Sequence, residues 1–232
     1  MTQTPIATFT SLALPALLAC AGCSVTSARG YEALAEQPAE TIEATPGRMF
    51  GVAPWSYDLP DGRQVVIDTS RGQQTWGPIT AADDVYFEAS LGDARLVCAS
   101  EPRGPGVPET RFGCWSPGDR EVTFWMAPGA KCGARNLDGF ATLTDPTCWD
   151  GTLTTPSARY EVAYSWMEAP SSPVAWISWT DAARGEAVQA VNSVVDLRLE
   201  VRARPGARGE DADLLALHAV ALHYWYHRVY SS

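Results

Sequence analysis

From Arg48 onward the chain is a series of short runs in which apolar and polar side chains alternate, each run ended by Gly, Pro, Asp or Ser. A period of two puts one set of side chains on a buried face and the other in water, which is the pattern of antiparallel strands. Between Asp196 and Arg204, Leu197, Leu199, Val201 and Ala203 share one face, and Arg198, Glu200, Arg202 and Arg204 share the other. In Glu121 to Ala127, Val122, Phe124 and Met126 alternate with Thr123 and Trp125. In Val174 to Asp181, Ala175, Ile177 and Trp179 alternate with Trp176, Ser178 and Thr180. Gln64 to Asp68, Asp84 to Ser90, Arg95 to Ala99 and Tyr160 to Met167 read the same way, and Pro60-Asp61-Gly62, Pro117-Gly118-Asp119 and Pro205-Gly206 supply turns. Many short strands predict an all-β fold, and the expectation is an antiparallel β-sandwich, jelly-roll-like or Ig-like. Ala183 to Val191 reads as a short helix or a loop. The C-terminal segment is contested: Leu214 to Ala219 are helix formers behind Asp211 and Asp213, whereas Tyr224-Trp225-Tyr226 and Val229-Tyr230 are strand formers. The expectation is a closing strand from Val220 to Tyr230, paired with Asp196 to Arg204.

Residues 1 to 28 carry no charged side chain and are almost all apolar or small from Ile6 to Cys23. Pro15, Thr8, Thr10 and Ser11 interrupt the run, and a bilayer span needs about 20 clearly apolar residues, so an export signal is the expectation rather than a membrane helix. Leu17-Leu18-Ala19-Cys20 resembles the lipobox of bacterial lipoproteins, and Ala21-Gly22-Cys23 is an overlapping second candidate. The resemblance covers about the first tenth of the chain. It implies a signal peptide over 1–19, acylation of Cys20 (alternatively Cys23) and attachment to a membrane by lipid. Met1-Thr2-Gln3-Thr4-Pro5 departs from the family pattern in lacking Lys or Arg. Neither Ala21 after Cys20 nor Ser24 after Cys23 is the aspartate that retains lipoproteins in the inner membrane of enteric bacteria, so the resemblance implies the outer membrane of a bacterial cell envelope. Residues 20–47, with Glu32, Glu36, Glu40 and Glu43 broken by Pro38 and Pro46, read as the lipidated N-terminus and an acidic, flexible tether. Residues 48–232 read as a single ectodomain.

An exported chain meets an oxidising compartment, where four remaining cysteines predict two disulfides. Cys98 and Cys114 are separated by fifteen residues, as are Cys132 and Cys148, and Trp115 and Trp149 follow the second cysteine of each pair. Of the three possible connectivities, this spacing favours Cys98–Cys114 and Cys132–Cys148, each closing a loop for a gain of about 3 kcal/mol. A zinc site is disfavoured because no two of these four cysteines form a Cys-x-x-Cys knuckle.

The balance of 17 basic against 27 acidic residues gives a net charge of −10, which repels phosphate backbones and argues against a nucleic-acid partner. His218, His223 and His227 are the only histidines. On a helix, His223 and His227 would stand one turn apart and could chelate zinc; on the expected strand they are about 13 Å apart, so polar contacts are favoured and no metal or other cofactor is expected. Asn136-Leu137-Asp138-Gly139 and Asp58 with Asp61-Gly62 read as turns rather than calcium loops. There is no Gly-x-Ser-x-Gly elbow, and no catalytic residue is assigned. The aromatic side chains carry the remaining signal. Trp166, Trp179 and Trp225 suit a β core, but parity puts Trp125 and Trp176 on polar strand faces, and Trp115 and Trp149 follow cysteines at expected loop ends. Exposed aromatics stack on sugar rings or anchor protein interfaces, so Trp115, Trp125, Trp149 and Trp176 are the candidate ligand-binding residues. The expected function is a non-catalytic recognition or assembly module for a glycan or an envelope protein. The alternative is a hydrolase acting on envelope polymers through two carboxylates.

Overall fold

The computed structural model describes residues 30–46, 54–69, 86–100, 112–117, 121–128, 147–167, 174–194 and 198–230. Twelve strands follow one another: β1 (Ala39–Thr45), β2 (Trp55–Asp58), β3 (Gln64–Asp68), β4 (Tyr86–Leu91), β5 (Ala94–Ser100), β6 (Phe112–Trp115), β7 (Thr123–Pro128), β8 (Thr147–Thr154), β9 (Arg159–Met167), β10 (Val174–Asp181), β11 (Glu186–Val194) and β12 (Arg198–Ala203). Each is antiparallel to its neighbours in sequence, and β1 also pairs with β12, Ala39 opposite Arg202 and Ile42 opposite Leu199. The sheet therefore closes into a twelve-stranded barrel. This corrects the expected sandwich. Alternation along a strand is the same in both architectures, and the choice is made by one long-range pairing, which removes the two edges that an open sheet would expose.

The second correction concerns the C-terminus. Residues Ala212–Tyr230 form a helix, α1, and the strand expected from Val220 to Tyr230 does not exist. Every side chain from Leu217 to Tyr226 is buried. Ring contacts join Tyr224 to Trp55 and Phe87, Trp225 to Phe112, Trp149 and Tyr164, and His218 to Phe124 and Trp179. These partners lie on β2, β4, β6, β7, β8, β9 and β10, so α1 runs through the barrel lumen. A barrel of about eight strands is filled by its own side chains; twelve leave axial room for a helix. The strand preference of Tyr224-Trp225-Tyr226 amounts to less than about 1 kcal/mol per residue. Burying each ring contributes about 1.5–3 kcal/mol, which decides the outcome.

Residues 30–46, read from sequence as tether, are part of the fold. A 3-10 turn at Glu32–Leu34 lies on the outer wall, with Leu34 buried against Ala187 and Ala190, and Tyr31 packed on Ala163 and Trp176. The guanidinium of Arg202 donates to the carbonyls of Ala35 and Gln37, and β1 follows directly. Glu186–Val194 is a strand where a helix or loop was expected. A register shift opposite Trp179 and Thr180 breaks its alternation, and its inward Gln189 donates to the Leu215 carbonyl of α1.

Cys98 and Cys114 stand opposite each other on β5 and β6 and are bonded, facing the core. Cys132 lies outside the described residues. The outer wall carries Glu43, Asp58, Gln64, Asp68, Arg95, Arg159, Glu161 and Arg198, all exposed, whereas the inner face is apolar and filled. That is the reverse of a barrel that spans a membrane, whose outer band is apolar.

Candidate functional site

Trp125 is the most exposed large apolar residue among those described, at 56%, with Tyr86 next at 37%. Parity places Trp125 outside because Phe124 and Met126, on either side, face the core. The indole lies on the strand beside it: a Cβ added to Gly113, its register partner on β6, would come within 2.7 Å of the six-membered ring. One side of the ring thus rests on the neighbouring strand while the residue as a whole stays exposed. Beside it, a groove of about 760 Å³ crosses the outer wall of β7, β8 and β9, with Thr152, Thr154, Asp150, Arg159 and Glu161 on its lining. Hydroxyls, carboxylates and a guanidinium next to an aromatic platform suit a polyhydroxylated ligand, which offers both C–H faces and hydroxyls. Asp150 and Glu161 sit on neighbouring strands two residues out of register, Asp150 being opposite Ala163 and Glu161 opposite Thr152.

The four tryptophans picked out in the sequence separate. Trp125 is exposed, and Trp115 is half-buried on the same outer wall, opposite Thr123. Trp149 is not exposed: β8 begins at Thr147, so Trp149 falls inside with Leu153 and stacks edge-on against Trp225. Trp176 does face outward, as parity requires, but Tyr31 covers it and leaves 7% exposed. Sequence reasoning missed Tyr86 and Gly113. The signal for Tyr86 was present, since it alternates with Phe87 on the same parity as the outward Glu88.

Glycines on either side of β7 make the site sensitive to added bulk in two ways. A Cβ on Gly113 meets mainly the indole edge, whereas one on Gly151 would lie 2.7 Å from the Trp125 carbonyl oxygen and 2.8 Å from Met126 Cβ. Gly151→Ala is expected to destabilise the fold by about 1–3 kcal/mol, since backbone must move. Gly113→Ala should cost less than about 1 kcal/mol and displace the ring instead. Urea unfolding of both variants, with near-ultraviolet circular dichroism for the ring, checks the contrast.

His218 and His223 serve the core. Trp179 Nε1 donates to His218 Nδ1 at 2.9 Å, and burial pushes the His218 pKa down to about 3. Tyr57 Oη lies 3.0 Å from His223 Nδ1, and burial, with the neighbouring Tyr224, raises the Tyr57 phenol well above its usual range. His218 and His223 are five positions apart on α1 and have different partners, and no metal-binding group of three side chains occurs among the described residues.

At the start of α1, the Asp211 Oδ2 atom accepts hydrogen bonds from Thr155 at 2.7 Å, Ser157 at 2.6 Å and Tyr160 at 2.7 Å. Burial, and then the Asp211 contact, raise the Tyr160 phenol. Nearby, Arg63 makes a two-pronged contact with Asp213 at 2.6 and 2.8 Å and holds its carboxyl below the usual range. A cavity of about 170 Å³ at this mouth has paired charges, Arg63 with Asp61 and Asp213, and Arg208 with Glu40. Comparison with protein-family models, with curated proteins and with solved structures finds no match for this chain.

Proposed function

We propose that the protein is a lipid-anchored lipoprotein of the bacterial cell envelope, at the outer membrane, whose barrel is a non-catalytic recognition module that binds glycan on its outer wall. The observation that carries this reading is Trp125, exposed and seated over Gly113 beside a groove lined by hydroxyl and charged side chains. The lumen is occupied by α1, so ligand recognition falls to the outer surface. The charged wall suits a domain that stands in water beside a membrane. With Cys20 acylated, nine residues separate it from Gly30, and the barrel works within about 35 Å of its anchor.

Trp125→Ala is expected to weaken binding to envelope glycan tenfold or more while leaving the unfolding transition in place. Isothermal titration calorimetry on soluble glycan fragments measures it, and unchanged affinity rejects the site. Mass spectrometry of the mature N-terminus tests the anchor: the expected first residue is diacylglyceryl-modified Cys20, and an unmodified cleaved terminus rejects it.

The hydrolase reading draws on Asp150 and Glu161, whose diagonal placement on adjacent strands puts their Cβ atoms roughly 7 Å apart. Retaining glycosidases use carboxyl groups about 5 Å apart and inverting enzymes about 6.5–9.5 Å. Both residues line the open groove beside Trp125, and no described element forms an opposing wall to enclose a substrate. Glycan cleavage that is lost in both Asp150→Asn and Glu161→Gln would favour this reading over recognition alone.

A further inference from the structure

The strand register carries the glycan reading further. Reading across the outer wall at the level of Trp125, the residues opposite one another are Tyr86 on β4, Ala99 on β5, Gly113 on β6 and Trp125 on β7. The two exposed large apolar side chains of the described residues thus lie on one line across four strands, and the two positions between them are small. The line continues through Thr152 on β8 to Glu161 on β9. A parallel line two residues along holds Glu88, Val97, Trp115 and Thr123, then Thr154 and Arg159. Glu88 and Thr123 stand beside its ends and Val97 and Trp115 beside its middle, so the track has an aromatic ring at each end and a low floor between them.

Three strand spacings separate Tyr86 from Trp125, about 14 Å between backbones. The Trp125 indole leans over Gly113, which takes up one spacing and leaves about 10 Å between the platforms. A β-1,4-linked pyranose advances a glycan chain by roughly 5 Å, about one strand spacing, and successive rings in such a chain turn over. Units n and n+2 therefore present the same face at the separation of the two platforms. Gly113 lies under the indole, and Ala99 leaves room for the intervening unit, which a larger side chain there would obstruct.

We propose that this track binds an extended, β-linked oligosaccharide running across the strands, with alternate sugar rings stacked on Trp125 and Tyr86, so that at least three units are needed for full affinity. The inference rests on the glycan reading above and specifies its ligand as a polymer rather than a terminal sugar. The test is calorimetric titration of the whole barrel with β-1,4-linked N-acetylglucosamine oligomers of one to six units. Affinity is expected to rise tenfold or more between two and four units. Tyr86→Ala should remove that rise, leaving binding of the shortest oligomers unchanged, and Tyr86→Phe should restore it. Unaltered far-ultraviolet circular dichroism and unfolding midpoints confirm that both variants fold. Length-independent affinity, or a Tyr86→Ala variant with the wild-type length profile, overturns the extended-chain proposal while a Trp125-dependent single-sugar site stands. Absence of binding at every length, in wild type as well as variants, counts against both this proposal and the glycan reading for that polymer class.

Discussion

Asp211→Ala is expected to lower the unfolding free energy by about 3–5 kcal/mol, a large fraction of what holds a domain of this size together. One buried carboxylate oxygen gathers three hydroxyls: Thr155 and Ser157 from the β8–β9 connection, and Tyr160 from the first turn of β9. Hydrogen bonds to a charged group contribute about 1.5–3 kcal/mol each, and removing the acceptor leaves Thr155 and Tyr160 to find partners in a buried place. Without Asp211, Thr155 can turn its one hydroxyl proton to the Ala158 carbonyl 3.1 Å away, which holds the loss below the full sum. The same carboxylate fixes where α1 enters the barrel, so its removal loosens the helix as well as the hairpin. At about 2–4 °C per kcal/mol, the melting temperature should fall by about 10 °C. Asp211→Asn keeps one carbonyl acceptor and should lose roughly half as much. A melting temperature within about 2 °C of wild type in Asp211→Ala would show that the cluster is not a structural latch.

The second large effect appears on acidification. His218 Nδ1 accepts from an indole N–H, which is a donor only, so the neutral ring carries its proton on Nε2. A second proton would have to sit on Nδ1, facing that donor, inside an apolar core. The folded pKa is about 3 against an ordinary 6.5, so the unfolded chain takes up the proton first as pH falls. Stability is therefore complete above about 6.5 and is lost as pH falls toward about 3. At about 1.4 kcal/mol for each pH unit of that window, the loss reaches about 4–5 kcal/mol at its lower end. His218→Phe removes this contribution. It should be less stable than wild type at pH 7 by about 1–3 kcal/mol, because Trp179 Nε1 loses its acceptor, yet its stability should fall less steeply in acid. Urea unfolding between pH 7 and pH 4 reads the difference, and parallel wild-type and variant curves would reject the assignment to His218.

The two corrections to the fold have the same origin. Strands at Gln64–Asp68 and Val174–Asp181 coincide with their expected ranges, and the others proposed from alternation differ by one or two residues at their ends, because alternation is a local property. Closure depends on Ile42 meeting Leu199, and nothing within either segment announces the other. β1 was hidden for a further reason: only Ile42 and Ala44 of its inward set are apolar, and its glutamates imitate a solvated linker. In α1, Tyr224-Trp225-Tyr226 has strand character locally, but a helix buried on every side from Leu217 to Tyr226 is what a wide lumen accepts, and the width is set by strands far away in sequence. The aromatic surface was partly readable for the same cause. Parity correctly turned Trp125 and Trp176 outward, but only tertiary structure brings Tyr31 over one and leaves the other open.

Having the filling helix follow all twelve strands orders the events of folding. Its rings supply the contacts that β2, β4 and β6 to β10 share, so the strands made earlier have no finished interior to condense upon until α1 has been synthesised. The ring closes through β1 and β12, which are made near opposite ends of that process. Contacts of such long sequence separation form slowly. A newly made chain therefore lacks its closed barrel until the last segment is available. Its apolar strand faces and the unpaired edges of β1 and β12 stay exposed for that interval, so the risk of aggregation falls on the unfinished chain rather than on the closed barrel.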